Sequence, residues 1–118
     1  MKCELADADL IIRDEQGRVR WRGKPAGYRV QALSPLEKDG GVIVLLDRMA
    51  GPKSFANLLR VQTDRAIAWQ ANPPDHSGSD AFVEFRWDGD ELIANSWSGY
   101  LLRLDPITGA VRSQVFVK

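Results

Sequence analysis

Apolar positions along this chain come in short runs cut by turn residues, and nowhere do they follow the 3.6-residue period of a long amphipathic helix. The clearest stretch lies between residues 80 and 118. Four runs, AFVEFRW, LIANSW, YLLRL and AVRSQVFV, are separated there by Asp88-Gly89-Asp90, by Ser96 to Gly99, and by Asp105 to Gly109. Runs of this length bounded by Asp, Gly and Pro are strand signals, and Asp-Gly between apolar flanks predicts a hairpin turn. Strict alternation places Phe82, Glu84 and Arg86 on one face of the first strand, with Ala81, Val83, Phe85 and Trp87 on the other.

The same grammar can be read upstream. Residues 10–21 (LIIRDEQGRVRW) form two β-type runs around Asp14 and Gly17. Residues 28–33 (YRVQAL) alternate Tyr28, Val30 and Ala32 against Arg29 and Gln31, as a half-buried strand does. The run VIVLL at 42–46 has no polar position at all and reads as a central strand covered on both faces. Residues 58–61 and 66–69 are two more strands joined by Gln62 to Arg65. Residues 48–57 suit either a short helical turn after Pro52 or an extended loop, and residues 71–80 (ANPPDHSGSD) read as a linker. The expected fold class is all-β, an antiparallel β-meander of blade-like four-stranded units.

Three pieces align as an internal repeat: IIRDEQGRVRW from Ile11, LRVQTDRAIAW from Leu59 and LRLDPITGAVRS from Leu102. The first two end on Trp21 and Trp69. The third has one extra turn residue, with Ser113 or Gln114 where the others have tryptophan. Two further strands precede the second and third pieces, which divides the single domain into a half unit at 10–23 and full units at 28–70 and 80–118. A four-stranded unit recurring at about 40–45 residues has the spacing of a propeller blade.

The segment SGYLLRLDPITG at 98–109 resembles the strand–turn core of the PQQ-like (quinoprotein-type) β-propeller repeat: a glycine opens a strand, an aspartate ends it, and Thr-Gly leads to an outer strand. Asp14 to Trp21 matches the second half of that motif, whereas 58–69 lacks the turn glycine. The resemblance implies a partial, β-propeller-like structure of about two and a half blades. No cofactor is implied, because the ring that would hold a quinone is absent. So few blades leave sheet edges uncovered. The expectations are therefore a compact meander of about ten strands and a homo-oligomer, with a dimer favoured.

Composition narrows the function classes. The 118 residues suit one domain, and 44% hydrophobic with 27% charged residues describes an ordinary globular chain. Sixteen basic and sixteen acidic residues cancel, so no global field draws in nucleic acid or a membrane surface. Arg18, Arg20 and Arg22 still make a local basic stripe on an alternating strand. Cys3 is the single cysteine, which excludes an intrachain disulfide. The first ten residues carry acids where a signal peptide needs an apolar run, and no stretch is long and apolar enough for a membrane helix. A cytoplasmic location is expected.

Candidate chemistry is sparse. Asp75, His76, Ser77 and Asp80 place acid, imidazole and hydroxyl close in sequence, but triad members converge from separate elements. A lone histidine without cysteine makes no transition-metal site. Asp88, Asp90 and Glu91 lack the ligand spacing of a calcium loop, and Asp47 and Asp105 suit turn caps. Trp21 and Trp69 occupy equivalent repeat positions and are expected between blades. The binding candidates are Trp97, Tyr100, His76 and Trp87; no residue is assigned a catalytic or metal-binding role. The expected function is a non-enzymatic binding or interaction module with a protein partner or a second copy of itself. The alternatives are an immunity-type partner of a bacterial toxin, and a small hydrolase or sugar- or phosphate-handling enzyme around His76.

Overall fold

A computed structural model describes residues 2–36, 40–75 and 78–117. Within them eleven strands form three antiparallel sheets. The first holds β1 (Lys2–Ala6), β2 (Asp9–Arg13) and β3 (Val19–Gly23). The second holds β4 (Val30–Pro35), β5 (Val42–Leu46), β6 (Leu58–Val61) and β7 (Ile67–Ala71). The third holds β8 (Phe82–Asp88), β9 (Glu91–Ser96), β10 (Tyr100–Leu104) and β11 (Val111–Phe116). Each sheet is a meander in sequence order, and the three stack face to face.

Two apolar seams join the stack. Leu10 and Ile12 of β2 meet Val42, Val44, Leu46, Leu59 and Val61 of the second sheet. On its opposite face that sheet presents Ile43, Leu45 and Leu58 to Phe82, Leu92, Ala94, Leu102 and Leu104 of the third. All five residues of β5 are buried, the pattern expected of a strand covered on both sides.

Register makes the repeat physical. Cys3 pairs with Ile12, Ile43 with Arg60, and Ile93 with Arg103. Ile12, Arg60 and Arg103 in turn pair with Trp21, Trp69 and Ser113, and at each of these three sites the register shifts by a bulge directly afterwards. Ser113, rather than Gln114, therefore stands where the other sheets have tryptophan.

The turns that follow also match. Gly17 N donates to Asp14 O at 3.0 Å, and Arg65 N donates to Gln62 O at 2.9 Å. Gly17 has φ +84°, and Arg65 holds φ +78° without being glycine. In the third turn Gly109 N reaches Asp105 O at 2.7 Å across one more residue.

Several expectations change. Residues 2–6 add a strand, so the first sheet has three strands and begins before residue 10. The blade-like units are seen as three stacked sheets, with eleven strands among the described residues in place of about ten. The short 3-10 turn occupies Arg48–Ala50, ahead of Pro52. Strict alternation also fails in the first strand of each four-stranded sheet. Bulges between Val30 and Ala32 and between Phe82 and Glu84 insert one residue. Phe82 therefore shares the core face with Phe85, and Ala32 lies on the opposite face from Val30.

Candidate functional site

The seam between the second and third sheets is tied at one end by two buried polar residues. Asn57, fully buried, donates from Nδ2 to Leu46 O at 3.0 Å and to Phe82 O at 2.8 Å, while its Oδ1 accepts from Phe82 N at 2.7 Å. It thus bonds the end of β5 and the start of β8, whose main-chain groups would otherwise be buried without partners. Asp80, only 2% exposed, accepts four hydrogen bonds from the described residues. Oδ1 takes Ala81 N at 3.0 Å and Ser98 N at 2.9 Å, and Oδ2 takes Asp75 N at 3.0 Å and Ser98 Oγ at 2.7 Å. The sequence placed Asp80 in a solvated linker; it is instead a junction between the β7–β8 connection and the β9–β10 turn.

Asp80 also holds the β5–β6 loop. Its N–H donates to Lys53 O at 2.8 Å and its carbonyl accepts from Phe55 N at 2.9 Å, around a one-residue parallel bridge with Ser54. The other end of that loop is capped by Asp47, whose side chain accepts from Met49 N at 2.9 Å. Between these anchors Gly51 lies against the buried Phe55 ring, where a Cβ would come within 2.2 Å of Cδ2. Any larger residue at 51 would displace ring or loop.

Above this seam the loops enclose a pocket of about 450 Å³, lined by Arg48, Met49, Pro52, Lys53, Ala81 and Trp97 among others. This lies within the usual range for ligand sites, about 300–1,000 Å³. The Arg48 guanidinium sits 4.9 Å from the Trp97 ring centroid, a cation–π distance. Met49 is 82% exposed and Trp97 56%, so the rim presents large apolar side chains to solvent. The carboxylate of Asp80 borders the pocket, with both oxygens bonded to the donors named above.

The four candidates from the sequence separate. Trp97 lies on the pocket. Tyr100 begins β10 just after the turn that holds Trp97, its ring edge-on to Phe116 at 5.3 Å and packed against the second seam. Trp87 is at the far end of β8, where Nε1 donates to Ser34 Oγ at 2.9 Å across the seam. His76 and Ser77 lie outside the described residues.

Arg48, Met49, Pro52 and Lys53 escaped the sequence reading because the segment has no periodicity. Asp47, recognisable as a cap, was the available signal that an ordered turn begins there. Among the described residues no group of three His, Cys, Asp or Glu side chains is placed to hold a metal ion.

The remaining tryptophans pack. Trp69 Nε1 donates to Pro106 O at 2.9 Å, and its ring fills the space above Gly109, where a Cβ would come within 2.6 Å. Trp21 packs against the first seam. Arg60, 8% exposed, reaches Ile107 O at 3.0 Å and Gly40 O at 3.3 Å. Trp69 and Arg60, cross-strand partners, thus both clasp the β10–β11 turn of the next sheet.

Comparison with known proteins fits this geometry. No curated protein matches the chain. Among solved structures, BamB from Moraxella catarrhalis superposes with a TM-score of 0.57 at 15% identity, over 99% of this chain and 35% of that one. The protein therefore spans about a third of the length of that chain, and the likeness establishes a β-propeller-like fold. The two four-stranded sheets coincide with the stretch, residues 28–116, that matches a family model, and on that match the chain belongs to the family described as Domain of unknown function (DUF7957).

Proposed function

We propose that the protein is a binding module of PQQ-like blades that engages a protein partner through the Arg48–Trp97 pocket. The observation that carries this reading is the combination of an ordered frame with an exposed apolar rim. Asn57 and Asp80 fix the loops, while Trp97 and Met49 face solvent. Exposed aromatic and methionine side chains around a depression are the composition of interaction hot spots. The PQQ-like character is supported by the equivalent register of Ile12, Arg60 and Arg103 and by the Asp105–Gly109 turn.

Site-specific photo-crosslinking in cells tests it. A photoreactive phenylalanine analogue at Met49 should yield a discrete adduct that Trp97→Ala abolishes, and the same analogue at Ile67 of β7 should not. Equal adducts at both positions, or an adduct indifferent to Trp97→Ala, would refute the reading.

A further inference from the structure

From the charges around the pocket we infer that its occupant is an acidic segment of a protein partner: a Glu or Asp side chain set beside Arg48 and Lys53, with a neighbouring apolar side chain laid over Trp97, Met49 and Pro52. The inference rests on the binding role proposed above and adds the chemistry of the partner.

Three observations carry it. First, among the described residues lining the pocket two cations, Arg48 and Lys53, face one carboxylate, so the lining is net positive, and both oxygens of Asp80 already accept hydrogen bonds from Asp75, Ala81 and Ser98. Second, among the described residues neither Arg48 nor Lys53 has a carboxylate within ion-pair distance, whereas Arg13, Arg22, Lys24, Arg103 and Arg112 all do. Third, the Arg48 cation is held in place, and the backbone that carries Lys53 is anchored. Arg48 lies in the capped 3-10 turn with its guanidinium over Trp97, and the Lys53 carbonyl is bonded to Asp80 N.

A guanidinium stacked on an indole keeps its N–H edge free for a carboxylate, and its position costs little further ordering on binding. The wall between the cations is apolar, so a lone small anion would leave Met49, Pro52 and Trp97 uncovered. A peptide that pairs acid with an apolar neighbour covers both.

The test uses N-acetylated, C-amidated octapeptides of alternating Glu and Leu, their Gln counterparts, and sodium acetate, titrated into the full chain. Binding is read from the Trp97 indole N–H resonance. The Glu peptide is expected to shift that resonance and to bind about tenfold more tightly than the Gln peptide, with Arg48→Gln removing most of the difference, as for a partly desolvated charge pair. Added salt should weaken the Glu peptide alone. Equal binding of Glu and Gln peptides would overturn the acidic specificity while leaving the pocket as a binding site. Acetate matching the Glu peptide would mark a small-anion site instead. Silence of the indole resonance toward every peptide, with Met49 crosslinking intact, would refute the acidic segment and spare the broader binding role.

Discussion

At the scale of single residues, three turns solve one problem with different side chains. The position that follows the equivalent bulge needs a left-handed backbone, and Gly17 and Gly109 supply it. Arg65 adopts the same φ with a Cβ, at a cost of roughly 1–2 kcal/mol. It is exposed, so no packing is lost by removing it. Arg65→Gly is therefore expected to stabilise the fold, by about 0.5–1 kcal/mol once the added freedom of glycine in the unfolded chain is subtracted. Urea unfolding of the two proteins measures it. The missing glycine had made the second repeat look degenerate in the sequence. The structure shows an intact turn, because Asp64 accepts from Ala66 N at 3.0 Å and the backbone bonds tolerate the substitution.

Among the elements, legibility follows the range of the forces involved. The hairpins of β2–β3, β8–β9 and β10–β11 were readable because their turns carry Asp and Gly at fixed offsets, and β5 because it has no polar position. Strand β1 was missed: KCELA alternates weakly, and what places it is its pairing with β2, where Glu4 also meets Arg13. The bulges in β4 and β8, and the contacts of Asp80 with residues on two other loops, depend on residues distant in sequence, and no local pattern encodes them.

The ion pairs of the outer sheets give a measurable pH dependence. Lys24 first and then Arg22 hold the Asp9 carboxyl below its ordinary 3.8. For Asp105 the leading cause is the Ile107 N–H, with Thr108 N and Arg112 adding to it. A carboxylate lowered in the folded state contributes stability that is complete above the ordinary value and is lost as pH falls through the lowered one. Stability should therefore decline as pH falls below about 4. Asp9→Asn with Asp105→Asn should flatten that decline, as read from urea midpoints across the acid range.

Across the whole molecule, the ion pairs are concentrated on the two outer sheets. Every salt bridge among the described residues lies in the first or third sheet, on Glu4, Asp7, Asp9, Arg13, Arg22 and Lys24 or on Asp88, Glu91, Arg103, Asp105 and Arg112. The basic stripe expected from Arg18, Arg20 and Arg22 is thus partly neutralised by Asp7 and Asp9. Ile11, on the outward face of the first sheet, pairs across to Glu4 and Arg22; Ile93, on that of the third, pairs to Arg86 and Arg103.

Covering these charges with another sheet would cost several kcal/mol per ion. The return would be about 1.5–3 kcal/mol per apolar side chain buried. These charges oppose stacking of a further sheet on either outer face, while β11 also exposes Val111 and Val115. Ser113 marks the difference, since its equivalent Trp69 clasps a following sheet. Arg103→Leu with Ser113→Trp should make the third sheet resemble the first, where Ile12 pairs with Trp21, and produce concentration-dependent self-association in sedimentation velocity, absent from either single variant.

The seam tied by Asn57 and Asp80 has a thermodynamic side. The pocket draws Arg48, Met49 and Lys53 from the second sheet's loop, and Trp97 from the third sheet's turn. It exists only while the two sheets stay docked. Anything that binds there binds the docked form alone, so occupancy and docking share one equilibrium and each strengthens the other. A partner seated between Arg48 and Trp97 would act as a clamp across the stack, and loosening the seam from within would release the partner without touching a single residue it contacts.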